Sequence, residues 1–187
     1  MRHRRRFAML GLVVLAGAAV TPALGKPKGE AVRPVAGADP YVAVRGGRFL
    51  ADQHHIYRVV FEARRGAENP GELAPAVNMA GSELNTLAAH HVPAANVRFV
   101  LVFHTTAANE AVFTNAAYRA RHGMDNPNLP VLAALKRQGV EIYVCGQSLL
   151  ADRVPLSAVD TRVATIAEDG LVVLMTYGST GYAQLVF

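Results

Sequence analysis

The sequence contains a single cysteine in 187 residues. That count excludes an internal disulfide and any zinc site built from several thiolates. No C-x-x-C pair exists, so thioredoxin-type dithiol exchange is excluded as well. The phosphate-cradling G-x-x-x-x-G-K-[S/T] run is missing, as are G-x-G-x-x-G and the G-x-S-x-G nucleophile turn. A basic stripe is also lacking. The formal net charge is +5, but four of the basic residues lie within residues 1–25. The other 162 residues therefore carry a formal charge of only +1, which gives no case for nucleic-acid binding.

What is present begins with an export pattern. MRHRRR is a basic head, FAMLGLVVLAGAAV an apolar run, and TPALG a small-residue exit with Ala23 and Gly25. Residues 1–25 are expected to be a secretory signal peptide, and the chain periplasmic. The alternative is an uncleaved anchor, but the apolar run falls short of the ~20 residues a spanning helix needs. Arg4-Arg5-Arg6-Phe7 weakly resembles a twin-arginine pattern, and no cysteine lies nearby to take a lipid anchor. Once exported, a lone thiol cannot pair within its own chain. It is inert and buried, paired between chains, or a working group.

Residues 26–55 are rich in glycine, proline and charge, without a sustained period, and read as an extended leader across the domain surface. Adjacent His54 and His55 would face opposite ways in a strand and fit solvated loop positions better than a metal site. Residues 56–187 form the domain. IYRVVFEA (56–63) predicts a first strand and VRFVLVFH (97–104) a second, apolar enough to be covered on both faces. Between them a helix is expected from about Pro70 to His90, with Leu73, Ala76, Val77, Ala80, Leu84, Leu87 and Ala88 on one stripe. Asn78 and Asn85 lie on its flank and read as solvated. A second helix is expected over 107–122, packing through Ala111, Phe113, Ala117 and Tyr118. GMDNPNLP then reads as a loop, with Pro127 and Pro130 limiting helix extension. LPVLAALKRQG reads as a helix stopped by Gly139, VEIYVC as the third strand, and QSLLAD as the next helix. RVATIAEDGLVVLMTYG fits either a hairpin turning at Asp169-Gly170 or a strand leading to a helix. YAQLVF reads as the last strand. Alternating strands and helices imply a parallel sheet with right-handed crossovers.

Such sheets place chemistry beyond the carboxyl ends of their strands. Those ends carry the 64–69 loop, His104 and Cys145. Cys145 precedes Gly146, Gln147 and Ser148, where a helix begins. Unpaired N–H groups there favour an anion, glycine permits close approach, and Gln147 or Ser148 offers a side-chain donor. This perch suits a nucleophile or a sulfur carrier, although lone strand-end cysteines are commonly packing residues. His104 closes an apolar strand and is the candidate proton carrier or positive partner. A strand order of 2-1-3 would put one strand between them, with Cα atoms ~10 Å apart.

YRVVFEA, the Asn78-containing helix, VLVFH, GMDNPNLPVLAALKRQGVEIYVCGQSL and GYAQLVF together resemble the DsrE/DsrF-like family over roughly residues 56–187. The resemblance implies a flavodoxin-like α/β fold, a mostly parallel five-stranded sheet flanked by helices, often assembled as trimers or hexamers. It implies a helix rather than a hairpin within 165–178. In its sulfur-relay members a cysteine at this strand end carries a persulfide and hands the outer sulfur to a partner. That position is Cys145 here. His104 falls at a histidine position, followed by Thr105 where glycine would be expected. The resulting expectation is a periplasmic carrier of sulfane sulfur. Cys145 and His104 would be catalytic, and Gly146, Gln147 and Asn78 would contact substrate. No metal or cofactor is expected; a sulfur donor or acceptor and further copies of the chain are the expected partners. The alternatives are a non-catalytic oligomeric or small-ligand-binding subunit with a buried cysteine, and, more weakly, a hydrolase using Cys145 and His104 if their side chains come within hydrogen-bond reach.

Overall fold

A computed structural model describes residues 32–187. The signal-peptide expectation for residues 1–25 lies outside the described residues. Five strands form one all-parallel sheet: β1 (Tyr57–Ala63), β2 (Val97–Phe103), β3 (Glu141–Cys145), β4 (Thr165–Ala167) and β5 (Ala183–Val186). Their spatial order is β4-β3-β2-β1-β5. This corrects the 2-1-3 order, because β2 and β3 are direct neighbours, with Phe103 opposite Val144. Strand periodicity reports burial on two faces and carries no information about which strand lies alongside.

The helices are α1 (Pro75–Ala89), α2 (Thr106–Asn109), α3 (Asn115–His122), α4 (Asn128–Arg137), α5 (Gly146–Ala151) and α6 (Gly170–Ser179). Alternate strand residues separate the two faces. Phe61, Phe99, Leu101, Phe103 and Val144 share the main core with Val77 and Leu84 of α1, Leu132 and Leu135 of α4, and Leu149 of α5. On the opposite face Val60, Val100 and Val102 pack under Leu174 of α6, flanked by Val173, Tyr177 and Tyr143. One helix thus covers a face that the other elements leave open. No helix among the described residues is long and apolar enough to cross a membrane.

Several boundaries differ from the sequence reading. Pro75, rather than Pro70, starts the first helix, where its missing N–H is not needed. The Ala74 N–H donates to Asn128 Oδ1 at 2.8 Å, which pins the preceding turn. The single helix expected over 107–122 is broken. Phe113 is extended and bridges to Val159, and the Thr114 N–H donates to the Ala158 carbonyl. The Thr114 hydroxyl then accepts from the Ala117 N–H and starts α3 afresh. Asn128 as well as Leu129 and Pro130 belongs to α4, since proline is tolerated in a first turn. Over 165–178 a short strand precedes the helix. Asp169 accepts from the Leu171 N–H and caps α6 instead of turning a hairpin.

The leader carries no helix or strand over 32–55, and it is anchored to α1. Val32 and Val35 are buried in the main core. Asn85 accepts from the Val35 N–H at 2.6 Å and donates to the carbonyls of Val35 and Asp39. Asn78 accepts from the Asp39 N–H at 3.0 Å and donates to its carboxylate at 2.8 Å. The two asparagines expected to be solvated are therefore the leader's attachment points. An amide presents a donor and an acceptor together, which matches a passing backbone. His54 and His55 lie exposed in a turn, as read.

Candidate functional site

The carboxyl ends of β1, β2 and β3 bring Glu62, His104 and Cys145 to the face covered by α6. Glu62 continues the side of β1 that carries Val60, and His104 the side of β2 that carries Val100 and Val102. Gly170, the first residue of α6, sits on both Cys145 and His104. A Cβ placed on Gly170 would lie 2.9 Å from the Cys145 Cβ and 3.1 Å from the His104 Cβ. Those two β-carbons can thus be no farther apart than these distances combined, well inside the separation expected from a 2-1-3 order. The close approach requires glycine at the helix start.

Cys145 is the free cysteine and is only 4% exposed. Its side chain and that of His104 are neighbours without being a hydrogen-bonded pair. The condition set for a cysteine hydrolase is therefore not met. The His104 Nε2 lies 2.8 Å from Glu62 Oε1, and both side chains are largely buried. A carboxylate oxygen accepts, so Nε2 donates and Nδ1 is left for other chemistry. Glu62 Oε2 accepts from the Gln184 side-chain amide of β5. The Arg64 guanidinium stands 3.8 Å from Glu62 Oε1. Phe187 adds a backbone bond, its N–H donating to the Glu62 carbonyl at 2.9 Å.

The residues after the cysteine serve different ends from those read in the sequence. Gly146 is buried against β4: a Cβ there would meet the Ala167 carbonyl oxygen at 2.9 Å. The Gln147 N–H donates to the Glu168 carbonyl at 3.2 Å, and its side chain is exposed. That donor of the first turn of α5 is already engaged. The Ser148 hydroxyl donates to the Cys145 carbonyl at 2.9 Å and accepts from the Asn109 amide at 2.7 Å. Asn109 Oδ1 is buried without a partner. Asn78 is not brought to the site, since it lies on α1 and is committed to Asp39. The helix start that rests on Cys145 is that of α6; a helix was expected there from the resemblance, but not its contact with the thiol.

Glu62, Gln184 and Gly170 are the residues that sequence reasoning missed. Glu62 left a signal, being the one acid in β1, at its carboxyl end directly after the apolar run 59–61. On the main-core side a separate cavity of about 350 Å³ is lined by Gly66, Thr106, Glu110, Tyr118 and His122. One of its acids is paired, Glu110 holding Arg121 and His122 at 2.7 Å each. Among the described residues no group of three or more histidine, cysteine or acidic side chains could hold a metal ion.

Known proteins locate the chain further. A model of the DsrE/DsrF-like family matches residues 63–187, about two thirds of the chain. No curated protein matches it. Among solved structures, the ychN protein from E. coli aligns with a TM-score of 0.51 at 16% identity, covering 70% of this chain and 99% of that one. A protein of unknown function from Methanobacterium thermoautotrophicum aligns with a TM-score of 0.49 at 18% identity, covering 70% and 99%. At 16% identity the likeness to ychN is one of fold.

Proposed function

The chain belongs to the DsrE/DsrF-like family, and on that footing we propose that it is an exported carrier of sulfane sulfur with Cys145 as the carrier atom. The observation that carries this reading is the placement of its lone thiol. Cys145 ends β3 beside His104 and under the first turn of a ten-residue helix, α6. The Leu171 N–H of that turn is taken by Asp169, so α6 offers a charged sulfur its remaining first-turn N–H groups and its positive dipole end. In the loading step the Cys145 thiolate attacks the outer sulfur of a persulfide R–S–SH. A bond forms between the two sulfurs, the donor S–S bond breaks, and R–S⁻ leaves with the electron pair. In delivery an acceptor thiolate attacks the outer sulfur of the Cys145 persulfide, and the Cys145 thiolate leaves. No external oxidant or reductant enters either step. Periplasmic residence rests on residues 1–25 and is part of the same proposal.

The test is intact-mass measurement after exposure to polysulfide. Wild type is expected to gain the mass of sulfur, and Cys145→Ser to gain none. Absence of added sulfur on wild type, or equal addition to both, rejects the reading.

One observation favours a second reading, a non-catalytic oligomeric subunit. Cys145 is covered by Gly170, while Leu171, Val172 and Met175 of α6 and Leu185 and Val186 of β5 are exposed. Apolar side chains on an outer helix face and an edge strand suit burial against another copy of the chain. Thiol titration separates the two, because a thiol silent until denaturation supports the second. Light scattering on the purified chain tests self-association directly.

A further inference from the structure

The most completely bonded group near Cys145 is Glu62, a buried acid on β1 that the sulfur-carrier reading does not use. Both of its carboxylate oxygens are engaged. Oε1 accepts from His104 Nε2 at 2.8 Å, and Oε2 accepts from the Gln184 side chain. Gln184 is itself held, since β5 pairs in register with β1 from Val59 opposite Ala183 to Glu62 opposite Val186. It lies opposite Val60, two residues from Glu62 along the same face, so its amide reaches the carboxylate along the sheet. With both oxygens taken, the carboxylate cannot rotate away from the ring.

An imidazole held this way has its tautomer chosen for it. The hydrogen sits on Nε2, where the carboxylate accepts it, and the lone pair falls to Nδ1. Nδ1 belongs to the half of the ring next to the His104 Cβ, and a Cβ on Gly170 would lie 3.1 Å from that carbon and 2.9 Å from the Cys145 Cβ.

We propose that Glu62 is a positioning residue for His104, held in turn by Gln184, and that it keeps Nδ1 free of hydrogen, ready to take the Cys145 thiol proton once donor binding draws the two side chains, neighbours but not hydrogen-bonded here, within reach. This rests on the reading of Cys145 as a working thiol. The step is a proton transfer: the S–H bond breaks, an N–H bond forms at Nδ1, and the thiolate keeps the electron pair. The imidazolium so formed remains bonded to the Glu62 carboxylate, which balances its charge. The proton passes on to the departing R–S⁻ once sulfur has been accepted.

The tautomer is read by nitrogen NMR on histidine-labelled full-length protein, with His104→Gln identifying the His104 signals. Wild type is expected to show hydrogen on Nε2 and a bare Nδ1. Glu62→Gln and Gln184→Leu are expected to give mixed tautomers while circular dichroism stays that of wild type. Alkylation of native Cys145 supplies the second readout. Glu62→Gln is expected to slow it at least about tenfold, the low end of what losing the outer partner of a working histidine costs. In a His104→Gln background the same substitution is expected to change nothing, whereas a merely structural role would add its own effect. A wild-type ring with hydrogen on Nδ1, a tautomer unmoved by Glu62→Gln, or additive effects would each overturn the proposal. Polysulfide loading of wild type without a tautomer shift in Glu62→Gln defeats this inference alone. A shift without loading defeats the sulfur reading alone.

Discussion

Replacing Gly170 by alanine tests whether α6 truly rests on the site. The added Cβ would meet the Cys145 Cβ at 2.9 Å, the His104 Cβ at 3.1 Å and Val102 Cγ1 at 3.4 Å. The first two contacts are β-carbons fixed to adjacent strands, so neither can swing aside as a flexible side-chain end would. Overpacking of this kind costs about 1–3 kcal/mol. Alanine's helix propensity returns at most about 1 kcal/mol. At the middle of its range overpacking wins, and the net loss is about 1–2 kcal/mol. For a chain of this size about 2–4 °C of Tm accompanies each kcal/mol. Gly178 on the same helix is the control, because a Cβ there meets nothing within 4 Å. Gly178→Ala is expected to be neutral or stabilising by up to about 1 kcal/mol. Urea unfolding followed by circular dichroism measures both variants. The lifted first turn of α6 is also expected to speed Cys145 alkylation in Gly170→Ala. If Gly170→Ala proves as stable as Gly178→Ala, with unchanged thiol reactivity, the claimed contact does not exist.

Three further outcomes are expected. Asn85→Ala leaves the Val35 and Asp39 backbone groups without their amide, at a cost of about 1–3 kcal/mol; limited proteolysis is then expected to cut within 32–41 in the variant but not in wild type. The Arg162 guanidinium holds the Asp160 carboxyl below the usual carboxylate range. A depressed folded value gives stability that is present above about pH 4 and lost as pH falls through that folded value. The urea midpoint of Arg162→Ala should therefore drop less than that of wild type on acidification, and an equal drop would refute the pairing. Burial, then the hydrogen bonds shared with Tyr143 and Glu141, push the Tyr177 phenol well above the usual range. A raised folded value gives stability present below about pH 10 and lost as pH rises further. Ultraviolet titration is expected to show a phenol that ionises only with unfolding in wild type, and to lose that lagging component in Tyr177→Phe.

The central strands were legible because burial on both faces writes itself into runs such as VRFVLVF, and because Gly139 and Gly146 bracket β3. Cys145 was legible for the same reason, as the last residue of such a run. Strand order was not, since lateral pairing depends on which crossovers pack together rather than on any local period. That error made His104 look too distant from Cys145. The break at Phe113 was hidden because its partners, Val159 and Ala158, lie more than forty residues away. Asn85 read as solvated for a similar reason: the leader that buries it has no period of its own. Gly170 carried no sign of its importance, because the need for glycine arises only where β2, β3 and α6 converge.

β5 pairs with β1 across more than 120 residues of chain, and Gln184 meets Glu62 across a separation of 122. This has a consequence for folding order. Until residues 183–186 dock, β1 is an open edge available for mispairing. Contacts so remote in sequence form late and slowly. Before they form, the Glu62 carboxylate lacks Gln184 and the Glu62 main-chain carbonyl lacks the Phe187 N–H, which leaves the carboxylate only the imidazole and the Arg64 guanidinium. A chain caught short of that last pairing can hold its apolar core and yet have an unordered carboxylate beside the ring. Completion of the sheet and completion of the Glu62 bonding are one event.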